Sequence, residues 1–545
     1  MTINALDIIA TRDSELEGQA QFRTLWQETA DLIFPRQNQI ISLTNPGEDK
    51  SCKIYDPTAI MDSQEMASGL SSAIIPTGQE FFGLKAGDRQ LANDMEVQNY
   101  LSKSTESLHD ELFESNWLLQ WNEALRGLAV FGTCNLYSEW DAQSQGLNFK
   151  DFPIGSYVIL EDSYGNVNAA YITFTFTARQ AWERFGDAAS DDVKKAVAEP
   201  KSANKPFEFI HAIVPRQVRN PRLVDNLNMP WASVFVDVKA KQTMEESGFQ
   251  EFPCHVARWM KSSSEKYGRG QGTEILSAVK TLQVMMRDFI ECGNKWNNPP
   301  LEVLQDLEGI GIRTVPGSIN YVQQIPSIKA LQQQALGNFP ITEKMLDRQQ
   351  EIIHKAFYRD IFGQLSSLTG DRRTTVEIIE RIREGLRRLA LPVSRIEREL
   401  LTPQISRCLK LCIRNGRIDP PPPALAGQRF GIEYLGELGL ALRNQQAKGF
   451  IQFVSTTGEL AKVWPDAMDI PNMDRGLRRF AETSGVNIDD LSTEEEVAAK
   501  RQARQQQQAA AQMLAGAGEA AKAYGSATKA PEEGSPAEAL MGAEK

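Results

Sequence analysis

Apolar positions recur at helical spacing through the first 130 residues. Leu16, Ala20, Trp26, Ala30 and Ile33 mark one helix over residues 14–34, stopped by Pro35. A second helix is predicted after Asp56-Pro57, with Ile60, Met66, Ala67 and Leu70 inward and an end before Pro76. Residues 93–130 hold one or two more, burying Leu101, Leu108, Leu112, Leu125 and Leu128. The period then changes to two. Ile172, Phe174 and Phe176 alternate with Thr173, Thr175 and Thr177, the signature of a strand with one buried face, and Tyr164-Gly-Asn166 is a hairpin turn before it. "FEFIHAIV", "WASVFVDVK" and "HVARWM" read as further strands, so residues 134–260 are predicted to be largely antiparallel β.

From Thr273 the helical period returns. Ile275, Val279, Leu282, Met286 and Phe289 form one stripe; Lys280, Gln283, Arg287 and Glu291 form the opposite face. Residues 273–296 would make a rod of about 36 Å at about 1.5 Å per residue. The stretch after "NNPP" is rich in glycine and β-branched residues and reads as a small β hairpin. A second rod is predicted over Ile341–Phe362, with Met345, Ile352, Phe357 and Ile361 apolar. Residues 363–373 are a polar loop, and Thr374 with Glu377 fits a capping box opening a long helix to Asn415, stopped at Gly416. Pro392 and Pro403 predict a bend or a break within it. "DPPPPAL" is predicted to be a stiff extended linker and residues 432–482 to be helical again. From about Thr493 the composition turns to Gln, Ala, Gly, Ser, Pro and Glu, and disorder is expected beyond a helical start.

Composition narrows the function. The 545 residues suffice for roughly three or four domain-sized units. With 41% hydrophobic and 24% charged residues, the chain fits a soluble globular class. A formal net charge of -12 argues against gripping nucleic acid over the whole surface, though it does not exclude a ring that lets DNA slide. The six cysteines form no CxxC pair, which favours a reducing compartment. Cys408 and Cys412 would share a helix face, where packing outweighs a metal site because no histidine is near; Cys254-His255 is read as packing too. The first residues lack a basic segment leading into an apolar core, so no signal peptide is expected, and no apolar run is long enough for a membrane span.

Catalytic chemistry finds little support. "YGRGQGTEI" places Gly268, Gly270 and Gly272 as GxGxG, with Thr273 where a dinucleotide fingerprint needs glycine, and its neighbours look antiparallel rather than α/β. A flexible entrance to the long rod is the favoured reading, and a nucleotide-binding enzyme using Gly268–Gly272 the alternative. No GxxxxGK[ST], GxSxG or HExxH occurs. No catalytic, cofactor or metal residue is assigned. From Asp371 to Arg417 basic residues outnumber acidic ones two to one. Most of these are expected to pair with acidic neighbours, while Arg372 and Arg373, on a loop beside a helix start, are the best candidates for phosphate contact without base readout.

Four segments carry a family resemblance: "FRTLWQETADLIFP" (22–35), "IYDPTAIMDSQEMASGLSSAIIPTGQEFFGL" (54–84), "FPCHVARWMKSSSEKYGRGQGTEILSAVKTLQVM" (252–285) and the Arg-rich "TTVEIIERIREGLRRLALPVSRIERELLTPQISRCLKLCIRNGRI" (374–418). In this order and spacing the chain resembles the head-to-tail connector, or portal, proteins of short-tailed bacteriophages. The resemblance implies a mainly α fold with an antiparallel β region (α+β). Its parts would be a helical part of the wing (1–133), a β part of the wing (134–262), a first stem helix (263–298), a clip (299–339), a second stem helix (340–362), a tunnel loop (363–373), a long kinked wing helix (374–418), crown helices (419–492) and a low-complexity tail (493–545). It further implies a ring, usually a dodecamer, at one capsid vertex of the virion, assembled in the host cytoplasm, through which double-stranded DNA is packaged and ejected. Implied partners are the packaging motor (terminase), scaffolding protein, major capsid protein and tail adaptors, with no membrane and no cofactor. Arg372 and Arg373 would be the DNA-facing tunnel-loop residues, and Lys280, Arg287, Lys344 and Arg348 the bore-facing stem residues. A tail adaptor ring is the alternative within phage structure.

Overall fold

The computed structural model describes chiefly residues 4–42, 54–76, 80–88, 94–297, 339–366 and 388–435, apart from Val224, Ala426 and Arg429, with shorter stretches at 301–303, 328–330, 453–460 and 496–507. Two compact units are present, Met1–Leu442 and Arg443–Lys545.

The single helix expected over residues 14–34 is two: α1 (Ala5–Gly18) and α2 (Ala20–Ile33). Gln19 stands between them, buried, and its amide donates to the Tyr157 carbonyl at 3.4 Å. The break lets the two helices serve different cores. Ala5 and Ile8 of α1 pack with Val158, Tyr171, Ile210 and Val234, whereas Trp26, Ala30 and Ile33 of α2 enter the large central core. In α3 (Thr58–Ile74), Asp56 caps the start by accepting from the Thr58 amide at 2.8 Å. A short strand, β1 (Phe82–Ala86), precedes α4 (Met95–Glu114) and α5 (Trp117–Phe131). All five leucines expected inward on this pair are buried. Helix α5 is apolar on nearly every side and runs through the core.

The predicted antiparallel region follows: β2 (Thr133–Asp141), β3 (Gly146–Phe152), β4 (Tyr157–Glu161), β5 (Val167–Thr177), helices α6 (Ala178–Phe185) and α7 (Asp191–Ala198), then β6 (Pro206–Pro215), β7 (Trp231–Asp237), β8 (Gln242–Phe249) and β9 (Cys254–Arg258). They make two sheets, ordered β3-β2-β9 and β4-β5-β6-β7-β8, with every neighbour antiparallel. The expected hairpin at Tyr164-Gly-Asn166 joins β4 to β5, with Gly165 at φ 80°.

Two histidines are locked inside the sheets. His211 meets Ser233 Oγ at 2.8 Å and His255 meets Ser138 Oγ at 2.9 Å. Burial, with a neighbouring arginine in each case, pushes both imidazoles down to about 3. A depressed histidine supports the fold above its ordinary value of 6.5 and loses that support as pH falls toward 3. Each should therefore steepen acid destabilisation by about 1.4 kcal/mol per pH unit between pH 6 and 4. Urea titrations of His255→Gln over that window should show a slope shallower by about that amount; an unchanged slope would contradict the assignment.

Beyond the sheets come α8 (Gln271–Glu274), α9 (Leu276–Asn297), the antiparallel pair β10 (Leu301–Val303) and β11 (Ile328–Ala330), α10 (Phe339–Ala356) and α11 (Arg359–Ser366). Helix α11 carries regular backbone through Ser366, into the segment expected to be loop from 363. Next are α12 (Ala390–Ile396), a π-helical turn over Glu397–Leu401 and α13 (Thr402–Arg414). Pro403 has no amide to give the carbonyl four residues back, and the widened turn just before it absorbs the mismatch. Gly416, at φ 73°, ends the helix as expected. "DPPPPAL" is not fully extended: Pro423–Leu425 form a 3-10 turn and Leu425 is buried. Helix was expected from 432, but Phe430–Tyr434 form β12, which pairs antiparallel with β1, Phe82 opposite Tyr434. Residues 453–460 and 496–507 are helical; residues 508–545, expected to be disordered, lie outside the described residues. Among the described residues no helix is long and apolar enough to cross a membrane. The architecture is α+β, as predicted.

Candidate nucleic-acid interface

The glycine run does not make a phosphate loop, nor is it a loose entrance. A Cβ on Gly270 would lie 2.5 Å from the Gly132 amide nitrogen and 2.7 Å from the Ala129 carbonyl; one on Gly268 would lie 2.3 Å from the Gly132 carbonyl; one on Gly272, 2.7 Å from the Val130 carbonyl. The space a phosphate would need beside these glycines is filled by the backbone at the end of α5. The Gly268 amide is taken by Thr133 Oγ1 at 2.9 Å. Glycine is required here for close approach of two backbones, so the start of the first rod is clamped to the core.

From that clamp α9 extends, and α10 packs beside it. Leu276, Val279 and Leu282 of α9 are buried, as are Leu346 and Ile353 of α10 with Phe357 and Ile361 beyond. The inward stripe of α10 is thus displaced by one residue from the expected one. Met345 and Ile352 are exposed, 54% and 43%, and Val284 and Ile290 of α9 are exposed too. The second rod is not continuous to Phe362. It breaks at Tyr358, whose φ of 56° no helix tolerates, and α11 restarts at Arg359.

Gln283, expected on the solvent face, is buried. Its Oε1 accepts from the Tyr55 and Asp56 amides at 2.7 and 3.0 Å, and its Nε2 donates to the Asp56 carbonyl at 2.7 Å. Gln350 of α10 donates to the Asp56 carboxylate at 2.8 Å. Lower on α3, buried Asp62 meets His354 Nδ1 at 2.6 Å and Arg359 at 3.4 Å. Burial pushes the Asp62 carboxyl up, against the pull of His354 and Arg359. The first rod is therefore pinned to the segment that opens α3, and the second to that segment and to α3 itself, by polar groups that apolar periodicity could not reveal, because each reads as a solvent-facing residue.

The six cations proposed to meet DNA fall into three groups. Lys280 is paired with Glu28 at 2.7 Å, and Arg287 with Asp288 at 2.9 Å. Lys344 and Arg348 are exposed on α10 and make no ion pair among the described residues. Arg372 and Arg373 lie outside the described residues, as do Thr374 and Glu377. Farther along the Arg-rich stretch, pairing with acidic neighbours prevails. Buried Arg407 donates to the Ser138 and Glu251 carbonyls at 3.2 and 2.7 Å, Arg414 meets Glu251 at 2.6 Å, and Arg417 meets Glu111 at 3.4 Å. Cys408 and Cys412 share a buried face of α13, and no metal-binding cluster of His, Cys, Asp and Glu occurs among the described residues.

Comparison with known proteins places the chain in a family. Residues 8–491 match the profile of a family described as Bacteriophage head to tail connecting protein. The chain is 28% identical over 486 residues to a portal protein of Salmonella phage epsilon15, covering 88% of this chain and 87% of that one. It is 27% identical over 469 residues to a probable portal protein of Bordetella phage BPP-1, covering 85% and 84%.

Proposed function

The chain belongs to the bacteriophage head to tail connecting protein family, and from that premise we propose that it forms a ring at one capsid vertex through which double-stranded DNA passes. It is a structural connector and not an enzyme. The observation that carries the ring is the pair of rods. Helices α9 and α10 bury one stripe against each other and against the core, yet leave Val284, Ile290, Met345 and Ile352 in water. Apolar side chains repeated along two adjacent helices are covered when copies stand side by side, and a rotation that closes makes a ring. Twelve copies is the number the family suggests. The rods are its stem. The β10–β11 pair, between the two rods in sequence, belongs to the clip, the parts before residue 262 and the kinked helix to the wing, residues 363–373 to the tunnel loop and the helices after 434 to the crown.

In this reading the bore touches phosphates weakly and reads no bases, so DNA slides in both directions. The packaging motor, scaffolding protein, capsid shell and tail adaptors dock on the same ring, which is assembled in the host cytoplasm and remains in the virion. Lys344 and Arg348 are the stem cations with charge to spare, and Arg372 and Arg373 those of the tunnel loop. Lys344→Glu combined with Arg348→Glu should leave rings intact and lower packaged DNA severalfold, as should Arg372→Glu with Arg373→Glu. Lys280→Gln should change it less, because Glu28 already neutralises that ammonium. Genome content of particles carrying each variant is the measurement; normal content in both double reversals would remove these cations from the bore.

A further inference from the structure

Two exposed apolar patches of opposite charge lie on Met1–Leu442. The first is the loop joining β6 to β7. Val218, Leu223 and Leu227 stand in water there, Val218 at 72% exposure. Arg219 and Arg222 stand beside them with no ion pair among the described residues, and the loop's one carboxylate, Asp225, is taken by Asn228 at 2.6 Å. The second is the corner between α4 and α5. Phe113, Leu118 and Leu119 are exposed, Leu119 at 72%. Asp110 and Glu114 are exposed on the last turns of α4 and make no ion pair among the described residues.

Both patches are held in shape. In the loop, the Arg216 amide donates to the Pro230 carbonyl at 2.8 Å, the Asn220 amide to Asn228 Oδ1 at 2.8 Å and the Arg222 amide to Asn220 Oδ1 at 3.1 Å. At the corner, Asn116 donates to the Phe149 carbonyl at 2.8 Å and accepts from the Phe149 amide at 2.9 Å. A surface ordered before it binds gives up little conformational entropy on binding. Rigid, exposed and apolar is the profile of a docking surface rather than of a solvated loop.

We infer that the β6–β7 loop of one copy docks on the α4–α5 corner of the next. Each patch sets three apolar side chains beside a pair of like charges, offset in the loop only by the single carboxylate of Asp225, and the net signs are opposite, so the match is both apolar and electrostatic. The patches also differ from one another. Contact between unlike surfaces leaves one copy with a free corner and the other with a free loop, so the pairing propagates instead of stopping at a dimer, and it closes when the rotation allows. This interface rests on the ring reading above and adds to the rods a second seam between neighbours.

The test is a charge exchange on the full-length chain. Arg219→Glu with Arg222→Glu should deplete the ring species in sedimentation, and so should Asp110→Arg with Glu114→Arg. All four changes together should restore it. All substituted positions are exposed, so circular dichroism should not change. Rings that persist in both double variants, or a quadruple variant that fails to recover, would overturn this seam while leaving the ring reading in place. A wild-type chain that forms no ring would overturn the ring reading itself, and the seam with it.

Discussion

Gly270→Ala should destabilise the protein by about 3 kcal/mol or more, the upper range for forcing a methyl into a packed interior. The new Cβ would meet the Gly132 nitrogen at 2.5 Å and the Ala129 and Val130 carbonyl oxygens at 2.7 and 2.8 Å. All three are backbone atoms at the end of α5, so no side chain can swing aside. Relief requires moving the turn from α5 into β2, where Gly132 sits at φ 88° and where the Trp259 amide donates to its carbonyl at 2.9 Å. Gly293, inside α9, is the control. A Cβ there meets nothing within 4 Å, and alanine should stabilise the helix by up to about 1 kcal/mol. Urea midpoints of the two variants should move in opposite directions. Equal shifts would mean that the clamp is not tight.

Arg258→Met should cost about 3 kcal/mol, at the low end for breaking a buried ion pair. Arg258 is the charged hub between both sheets and the kinked helix. Its side chain is 4% exposed. It pairs with Glu161 at the end of β4, forks onto Glu399 in the π-helical turn at 3.0 and 3.1 Å, and donates to the Gly165 carbonyl at 3.2 Å. Its own backbone amide also donates to Glu399, at 3.0 Å. Methionine keeps the bulk and removes the charge, leaving two half-sheltered carboxylates facing each other. Lys261 still holds Glu161, which keeps the cost from reaching the top of the range. A loss under about 1 kcal/mol at neutral pH would place this cluster among surface pairs of little consequence.

The elements were legible in the sequence where one period dominated. The α4 and α5 leucines, the strands flanking Gly165 and an interruption of the α-helix between Pro392 and Pro403 all stand where the pattern puts them. The register of α10 was not legible, for a physical reason. Met345-Leu346 and Ile352-Ile353 are adjacent apolar pairs, and periodicity alone cannot say which member turns inward. The structure buries the second of each and leaves the first in water, and that outcome supplies the lateral apolar face. Gln283, Asp56 and Asp62 escaped because a buried polar residue looks in sequence like a solvated one; only the facing amides and His354 reveal the difference. The β1–β12 pairing joins two five-residue strands from distant parts of the chain, and no local signal marks such a contact. In sequence the glycine run reads as freedom, but in the fold it is close contact, since both need glycine and only the neighbouring backbone tells them apart.

The central claim is that copies of this chain stand side by side around a channel. The most direct test is the solution mass of the purified full-length chain, with an axial image of the same material. The account predicts a closed ring of about a dozen copies around a central hole. A single chain at every concentration and salt tried would contradict it.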